Sequence, residues 1–362
     1  MTIKASGPSL SFTEIVNEFG NPADNKLGNY RVTFDNTPQG GSFSDLPLDA
    51  GIPQSGEIKF SDFYSKQLNI VVKGYGSGTA ESWASKDAAS AYDNGNVEVI
   101  GNPGKARPDR NDPAAWQDGK TVKINVNRTI GSSMPGTNEN YRCALKTGEW
   151  PANTTLSVDV GSEGIITGAG GDGGDGGFGE DATAPAGENG SSALGIQYSP
   201  ITVNVASGGV IQSGYGGGGG GGGAVRDTGK EGLDFYYGGG GGGGGAGYPS
   251  GLGGGGGTGR HGAGFKGNNG TTIDGGTGGA GGGAPWGGPG GRGGDEFLPA
   301  VNGDKGNGTG PVGGGGPGGG VGSAGDAIRA TMPKAGNVNI SVNEGGDIRG
   351  NKVYNVSPGT IT

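Results

Sequence analysis

Residues able to do covalent or metal chemistry are scarce in this chain of 362 residues. His261 is the only histidine and Cys143 the only cysteine. A lone cysteine excludes an intrachain disulfide and a Cys-based zinc cluster, and a single histidine set in Gly259-Arg-His-Gly262 argues against a metal site or a catalytic triad. The adjacent acids Asp295 and Glu296 are of the type a glycan hydrolase uses, but adjacency in sequence fixes no separation between two carboxyl groups. Gly170 to Phe178 approaches the calcium-binding nonapeptide Gly-Gly-x-Gly-x-Asp-x-apolar-x, yet Gly177 stands where the apolar residue belongs and no tandem copy follows. Apparent dinucleotide motifs arise in any glycine run and lack the strand-to-helix setting they need. The chain is therefore read as a non-enzyme with no cofactor and no metal. Contact chemistry is what remains, carried by Phe235, Tyr236, Tyr237, Tyr248, Phe265, Trp286 and Phe297. Aromatic rings give large contact area at low entropic cost, and their faces suit sugars and protein side chains alike. The competing reading is that the rings seal the edges of a structure otherwise poor in apolar mass.

What positions those rings is glycine. Two runs of eight, Gly216 to Gly223 and Gly238 to Gly245, bracket the segment Ala224 to Tyr237. Glycine loses more freedom on ordering than any other residue and brings no side chain to a core, so such runs order only if their backbone groups find partners. Several stretches keep a three-residue beat, as in Gly170 to Phe178, Gly275 to Ala280 and Gly287 to Asp295. A polyproline-II-type thread has three residues per turn and no internal hydrogen bonds, so its N–H and C=O groups must pair between threads. Eight residues span about 25 Å at ~3.1 Å each. The alternative is a flexible low-complexity linker.

A second repeat threads through this half. Leu156 to Val160, Ile201 to Val205 and Val338 to Val342 alternate apolar and polar residues. They are followed at matched offsets by Gly164 and Ile166, Gly209 and Ile211, and Gly346 and Ile348. Period-two alternation marks half-buried strands, and units this alike stack on one another. Gly190 to Ile196 and Gly322 to Ile328 form a further echo, matched glycine to glycine.

Of the 94 glycines only 17 precede Gly161, so the chain divides by composition. Residues 1–66 read as an amino-terminal anchor with a duplicated motif, Leu10-Ser-Phe-Thr-Glu-Ile-Val16 and Ile58-Lys-Phe-Ser-Asp-Phe-Tyr64. Each copy runs into a brief helix with Thr13 or Ser61 as cap-type residue, burying Phe12, Ile15, Phe60, Phe63 and Tyr64. Residues 67–153 read as a β-rich middle domain with strands at 68–73, 96–100, 121–127 and 141–146 and a helix over 82–91. Residues 154–362 are the glycine-rich domain. The fold class is mainly β. A net charge of -9 argues against nucleic acid as a partner. No apolar stretch is long enough to insert in a membrane, and the amino terminus has no secretory signal core.

The repeat of strand, Gly, Ile and glycine thread, alternating with aromatic loops over about Thr154 to Asn351, resembles the glycine-rich tail-fibre adhesins and tail-tip proteins of tailed bacteriophages. In those adhesins glycine threads pack as a polyglycine-II sandwich, and the loops joining them at one end bind the host surface. The resemblance implies receptor-binding loops at Ala224 to Tyr237, Ala246 to Leu252, Thr258 to Asp274, Ala284 to Trp286 and Asp295 to Val312. It implies partners among other virion tail or baseplate proteins and a host receptor, either an outer-membrane protein or a glycan. It also implies a place in the virion, after assembly in the host cytoplasm. The amino-terminal motif resembles short segments of phage structural proteins, which implies virion attachment through Phe12, Ile15, Phe60, Phe63 and Tyr64. The alternative function is a non-adhesive structural component of the virion, in the baseplate, a fibre joint or the head decoration.

Overall fold

The computed structural model describes residues 3–19 (without 5 and 8), 26–30, 53–66 (without 54), 69–73, 81–88 (without 84 and 85), 111–112, 116, 120–132, 143–178, 183–226 (without 199), 235–308, 315–330, 338–342 and 346–354. The expected strand at 96–100 lies outside the described residues.

Strands follow one another in sets of three. β1 (Asn69–Lys73), β2 (Glu81–Trp83) and β3 (Lys86–Asp87) make the first set, and β4 (Lys120–Val126), β5 (Thr129–Ser132) and β6 (Cys143–Lys146) the second. β7 (Thr154–Val160), β8 (Ile165–Thr167) and β9 (Ser192–Ile196) make the third. The fourth is β10 (Ile201–Val205), β11 (Val210–Gln212) and, beyond a hairpin of β12 (Ala224–Arg226) and β13 (Phe235–Tyr237), β14 (Asp326–Ala330). β15 (Val338–Val342), β16 (Asp347–Arg349) and β17 (Asn351–Tyr354) close the series. Like members pair in parallel into three five-stranded sheets, β1-β4-β7-β10-β15, β2-β5-β8-β11-β16 and β3-β6-β9-β14-β17. Among the described residues the result is a three-sided parallel β-helix of five rungs. Its interior is one core: Val122, Val158 and Val203 point in from the first face, Ile130, Ile166 and Ile211 from the second, and Leu145, Leu194 and Ile328 from the third.

The expected units stack in register, with Leu156, Ile201 and Val338 side by side. β4 pairs with β7 over its whole length, so the sheets run through the compositional boundary at 153/154. Two local expectations are corrected. In the stretch expected as a helix over 82–91, residues 82–83 belong to β2 and 86–87 to β3 instead, while 84–85 and 89–91 lie outside the described residues. The echo on the third face is displaced by two residues, because Ile328 pairs with Leu194 rather than Ile196. A two-residue slip keeps the same side chains inward, so the pattern alone cannot choose between the two registers.

The glycine segments leave the β-helix at one corner. They start after β8 and β11 and return at β9 and β14. Pass 168–177 runs out and 184–191 back; pass 213–223 runs out, 238–246 back, and further passes at 251–257, 262–270, 275–282, 287–294, 300–306 and 315–325 alternate in the same way. Each pass bonds its neighbours at every third residue: Gly171, Gly174 and Gly177 donate to Tyr215, Gly218 and Gly221 at 2.8–2.9 Å. The two eight-glycine runs are the innermost passes. Pass 213–223 donates through Gly217 to Glu188, through Gly218 to Gly243 and through Gly219 to Val301, and accepts from Gly174, Gly291 and Gly319. Its neighbour 238–246 donates through Gly239 to Gly177, through Gly240 to Gly288 and through Gly241 to the Phe265 carbonyl, and accepts from Gly221, Gly257 and Gly279. Each inner pass therefore has six neighbours, and successive residues face different ones. A Cβ on Gly218, Gly219 or Gly220 would overlap the carbonyl of Gly291, Gly319 or Asp175, one in each of three separate passes.

Glycine content thus follows the number of neighbours. Inner passes need glycine at every position. Outer passes such as 275–282 keep two in three and turn Thr277 and Ala280 to solvent. Corner passes keep one in three: Gly264, Gly267 and Gly270 donate inward while Phe265, Lys266, Asn268 and Asn269 are exposed. Thr258 to Asp274 and Asp295 to Val312, expected as loops, therefore contain the passes 262–270 and 300–306.

The amino-terminal unit has its own small core of Ile3, Leu10, Ile15, Tyr30 and Phe63. The duplicated motif gives the same turn twice, with the acid three residues past the cap: the Ser11 amide donates to Glu14 at 2.8 Å and the Lys59 amide to Asp62 at 2.7 Å. Ser11 and Lys59, not Thr13 and Ser61, hold the cap positions. The helix after Ser11, α1, spans Phe12–Phe19. Its Glu18 forms a buried ion pair with Lys120 of β4 at 3.8 Å, which ties the unit to the β-helix.

Candidate functional site

Because the passes alternate in direction, successive turns fall at opposite ends of the lattice. One end, the base, abuts the β-helix. The Tyr248 carbonyl accepts from Ser132 of β5 at 3.1 Å, and the Gln212 side chain donates to the Thr272 carbonyl at 2.9 Å. The other end, on the order of 25 Å away for eight residues of thread, carries the β12–β13 hairpin and the turns at 258–262 and 283–286.

At that distal end the rings are paired. Phe178 and Tyr236 stack with centroids 6.2 Å apart and planes 14° from parallel. Tyr237 and Trp286 stack at 6.2 Å and 15°. The Arg226 guanidinium lies 5.1 Å from the centroid of the Trp286 ring, within range of a cation–π contact. Phe235 packs on the His261 imidazole at 4.5 Å.

Backbone pairing fixes these groups from below. Phe178 bridges Gly238, and Tyr237 bridges Gly262. The Tyr236 amide donates to His261 Nδ1 at 3.2 Å while the His261 amide donates back to the Tyr236 carbonyl at 3.0 Å. Phe178 is 53% exposed and Phe235, Tyr236 and Trp286 are half-buried. Tyr237 is buried, lying over Gly283 where any Cβ would strike its ring. It seals the lattice end.

The expectation of one ring-bearing tip needs correcting. The fold brings Phe235, Tyr236, Tyr237 and Trp286 together, but not the other three. Tyr248 is at the base, half-buried over Gly131 of β5. Phe297, 82% exposed, is also at the base beside Leu298. Phe265 projects from the side of a corner pass. Phe178 and Arg226 belong to the distal cluster and were missed. Phe178 ends a Gly-Gly-x stretch, and counting passes out and back from it would have placed it at the same end as Tyr236.

The base turn is organised by Asp295. Its carboxylate accepts from the Phe297 and Leu298 amides at 2.9 Å each and pairs with Arg292. Burial alone would raise its pKa, but the Leu298 and Phe297 amides, Arg292 and the Gly275 amide together hold it below the ordinary 3.8. Glu296 reaches Arg349 of β16 at 3.2 Å. Among the described residues no group of three or more His, Cys, Asp or Glu gathers as a metal site, and no helix is long and apolar enough to cross a membrane.

In the amino-terminal unit Ile15 and Phe63 are fully enclosed, so neither can itself touch a partner; Phe60 is 40% exposed. Phe12 and Tyr64 pack partly buried against the same core.

No protein-family model and no curated protein matches the chain. A solved structure is similar to it. This is the crystal structure of the gp37-gp38 adhesin tip complex of the bacteriophage S16 long tail fiber, at a TM-score of 0.34 and 18% identity, covering 96% of this chain and 100% of that one.

Proposed function

We propose that this chain is a virion protein of a tailed bacteriophage, a fibre or tail-tip adhesin that binds a host-surface receptor through the distal end of a polyglycine-II lattice, without catalysis. The observation that carries the reading is the contrast between the lattice and its end. Its inner passes are bonded backbone to backbone with no room for a side chain, while the rings sit on the distal turns, partly open to solvent. Such a scaffold pre-organises its turns and avoids the ordering cost that a flexible loop incurs on binding. A few aromatic or Arg anchors carry most of the energy of an interface of this kind. Attachment to the particle is assigned to residues 1–66, where Phe60 is the most exposed ring among the described residues.

The experiment compares Tyr236→Ala and Trp286→Ala, singly and together, for adsorption of particles to host cells. Adsorption falls by about tenfold or more, as expected for truncating an interface anchor worth ~1.4 kcal/mol or more, while particles assemble normally. Normal adsorption with defective assembly would favour the structural alternative. That alternative draws on the exposed Ile273, Phe297, Leu298 and Val301 around the base, a surface suited to burial against a neighbouring virion protein.

A further inference from the structure

The two faces of the distal hairpin differ in chemistry. β12 and β13 pair Arg226 with Phe235, Val225 with Tyr236 and Ala224 with Tyr237. Alternation along the strands therefore puts Val225 and Tyr236 on one face and Arg226, Phe235 and Tyr237 on the other. The second face gathers His261 against Phe235 and Trp286 against Tyr237, with the Arg226 guanidinium over the indole. We infer that this face is an anion site, in which Arg226 receives a carboxylate or phosphate group of the receptor; this rests on the adhesin reading above and names the chemistry that its distal end takes.

Arg226 keeps its charge and its donors available. Arg292, Arg329 and Arg349 are each paired with a carboxylate, of Asp295, of Asp326, and of Asp347 and Glu296. Arg226 is exposed, and among the described residues its side chain has no hydrogen-bond, ion-pair or ring partner other than Trp286. A cation–π contact attracts the guanidinium but satisfies none of its five N–H groups. Two of those in parallel fit the oxygens of a carboxylate or phosphate, the strongest use a guanidinium has. His261 accepts at Nδ1 from the Tyr236 amide, so its neutral ring carries the proton on Nε2 as a further donor.

The platform under Arg226 is fixed. The Trp286 amide donates to the Gly283 carbonyl at 3.1 Å, and its carbonyl accepts from the Asn307 amide at 2.7 Å. Its ring lies on Tyr237, which is bridged to Gly262. A guanidinium resting on such a ring loses less freedom when it binds than one on a free stem. The sign of the charge also sets this end apart. The chain carries a net charge of -9, yet the ionisable side chains described on the hairpin and the 258–262 turn are Arg226, Arg260 and His261 beside the tyrosines. The acids on passes leading there, Asp175 and Asp304, stand three residues short of Phe178 and Asn307, about 9 Å of thread away. Asp175 is already engaged, accepting from the Gly255 amide at 2.6 Å.

The test measures binding of the full chain, labelled at its amino terminus, to host cells in about 0.1 M and about 1 M NaCl, between which the screening length falls from ~10 Å to ~3 Å. At the lower salt Arg226→Gln weakens binding by about tenfold or more, as expected for losing a charge-assisted hydrogen bond. Arg226→Lys, which keeps the charge but not the planar fork, recovers only part of the loss. At the higher salt the gap between the parent and Arg226→Gln narrows. Lys266→Gln removes an exposed charge from the side of the lattice and changes nothing at either salt. Thermal melts of the three variants match the parent, which separates lost binding from lost folding. Treating the cells with proteinase K identifies the source of the anion. A gap between parent and Arg226→Gln that survives the treatment assigns it to a glycan or lipid headgroup, and a gap lost together with binding assigns it to a receptor protein. Equal binding by Arg226→Gln and the parent, with Trp286→Ala still defective, would overturn the anion site and leave the adhesin reading standing; neutralisation of Arg226 by Asp227, Glu231 or Asp234 of its own loop would give that result. A loss of the same size at both salts would mark lost packing on Trp286 and would overturn it too. If the parent binds no cells and the distal variants fail in assembly, the adhesin reading falls and the anion site with it.

Discussion

Replacing Gly242 by alanine places a methyl group against the Gly218 carbonyl of the adjacent inner pass, well inside contact distance. No flexible side chain is there to yield, because the obstacle is backbone. The two passes must separate by on the order of 1 Å to restore ordinary contact. They are joined at this point by Gly218 donating to Gly243 at 2.8 Å and Gly221 donating to Gly240 at 2.7 Å. Both bonds are buried, so no water replaces them. A buried group left unsatisfied costs about 1–3 kcal/mol, so two broken bonds, counted at one such cost each, give a loss of roughly 2–6 kcal/mol. That is a large share of a stability in the usual range of about 5–15 kcal/mol. Gly320 provides the control. It is exposed, and a Cβ there meets nothing within 4 Å, so Gly320→Ala is neutral or stabilising by up to about 1 kcal/mol through the unfolded chain. The assay is thermal melting combined with hydrogen exchange across 216–245. Gly242→Ala melts roughly 10 °C lower and its inner passes exchange faster, while Gly320→Ala matches the parent. Coincident melts for the two variants, with unprotected glycine amides in the parent, would refute the lattice as the source of order.

Ile166→Ala removes a fully buried side chain stacked between Ile130 and Ile211; a loss of about 2–5 kcal/mol is expected in urea unfolding, with adsorption unchanged under native conditions. Asp295→Asn destabilises the base turn at neutral pH. The folded pKa of Asp295 lies below its ordinary 3.8, so its contribution is complete above about pH 4 and is lost as pH falls through the folded value. The gap between parent and variant in melting temperature therefore narrows on acidification, and a gap independent of pH would contradict the assignment. Burial pushes the Cys143 thiol up to about 11, so iodoacetamide at pH 8 leaves the native protein unlabelled and modifies it only in denaturant.

Much of the β-helix was legible because three rungs share a corner: Ile166 follows Val160, Ile211 follows Val205 and Ile348 follows Val342, each six positions on. The rung before them has the same inward residues but a shorter corner without glycine, from Val126 directly through Asn127, Arg128 and Thr129 to Ile130. That change in spacing hid it from pattern matching, although Ile130 pairs squarely with Ile166. Within the helix expected over 82–91, residues 82–83 and 86–87 are strand because short strands on a rung leave little periodicity, and pairing with β5 and β6 decides their conformation. The distal cluster was half legible. Aromatic identity pointed to Tyr236 and Trp286, but which end a turn occupies depends on the parity of the pass before it. Tyr248 follows a returning pass and Tyr237 precedes one, and that alone sends them to opposite ends.

The three-residue beat of the lattice also constrains how such a chain can change in length. Inserting one or two residues within a pass rotates every later N–H away from its acceptor and turns an outward side chain into a neighbouring backbone. Three residues advance the thread by one full turn and leave each donor aimed as before, provided the adjoining passes lengthen to match. The turns at the distal end carry no such restriction, since nothing beyond them needs to stay in phase. Lineages of this architecture can therefore vary the length of the distal turns beyond the residues bridged into the lattice, such as Phe178, Tyr237 and Gly262, while the depth of the lattice changes only in steps of a whole turn taken by several passes together.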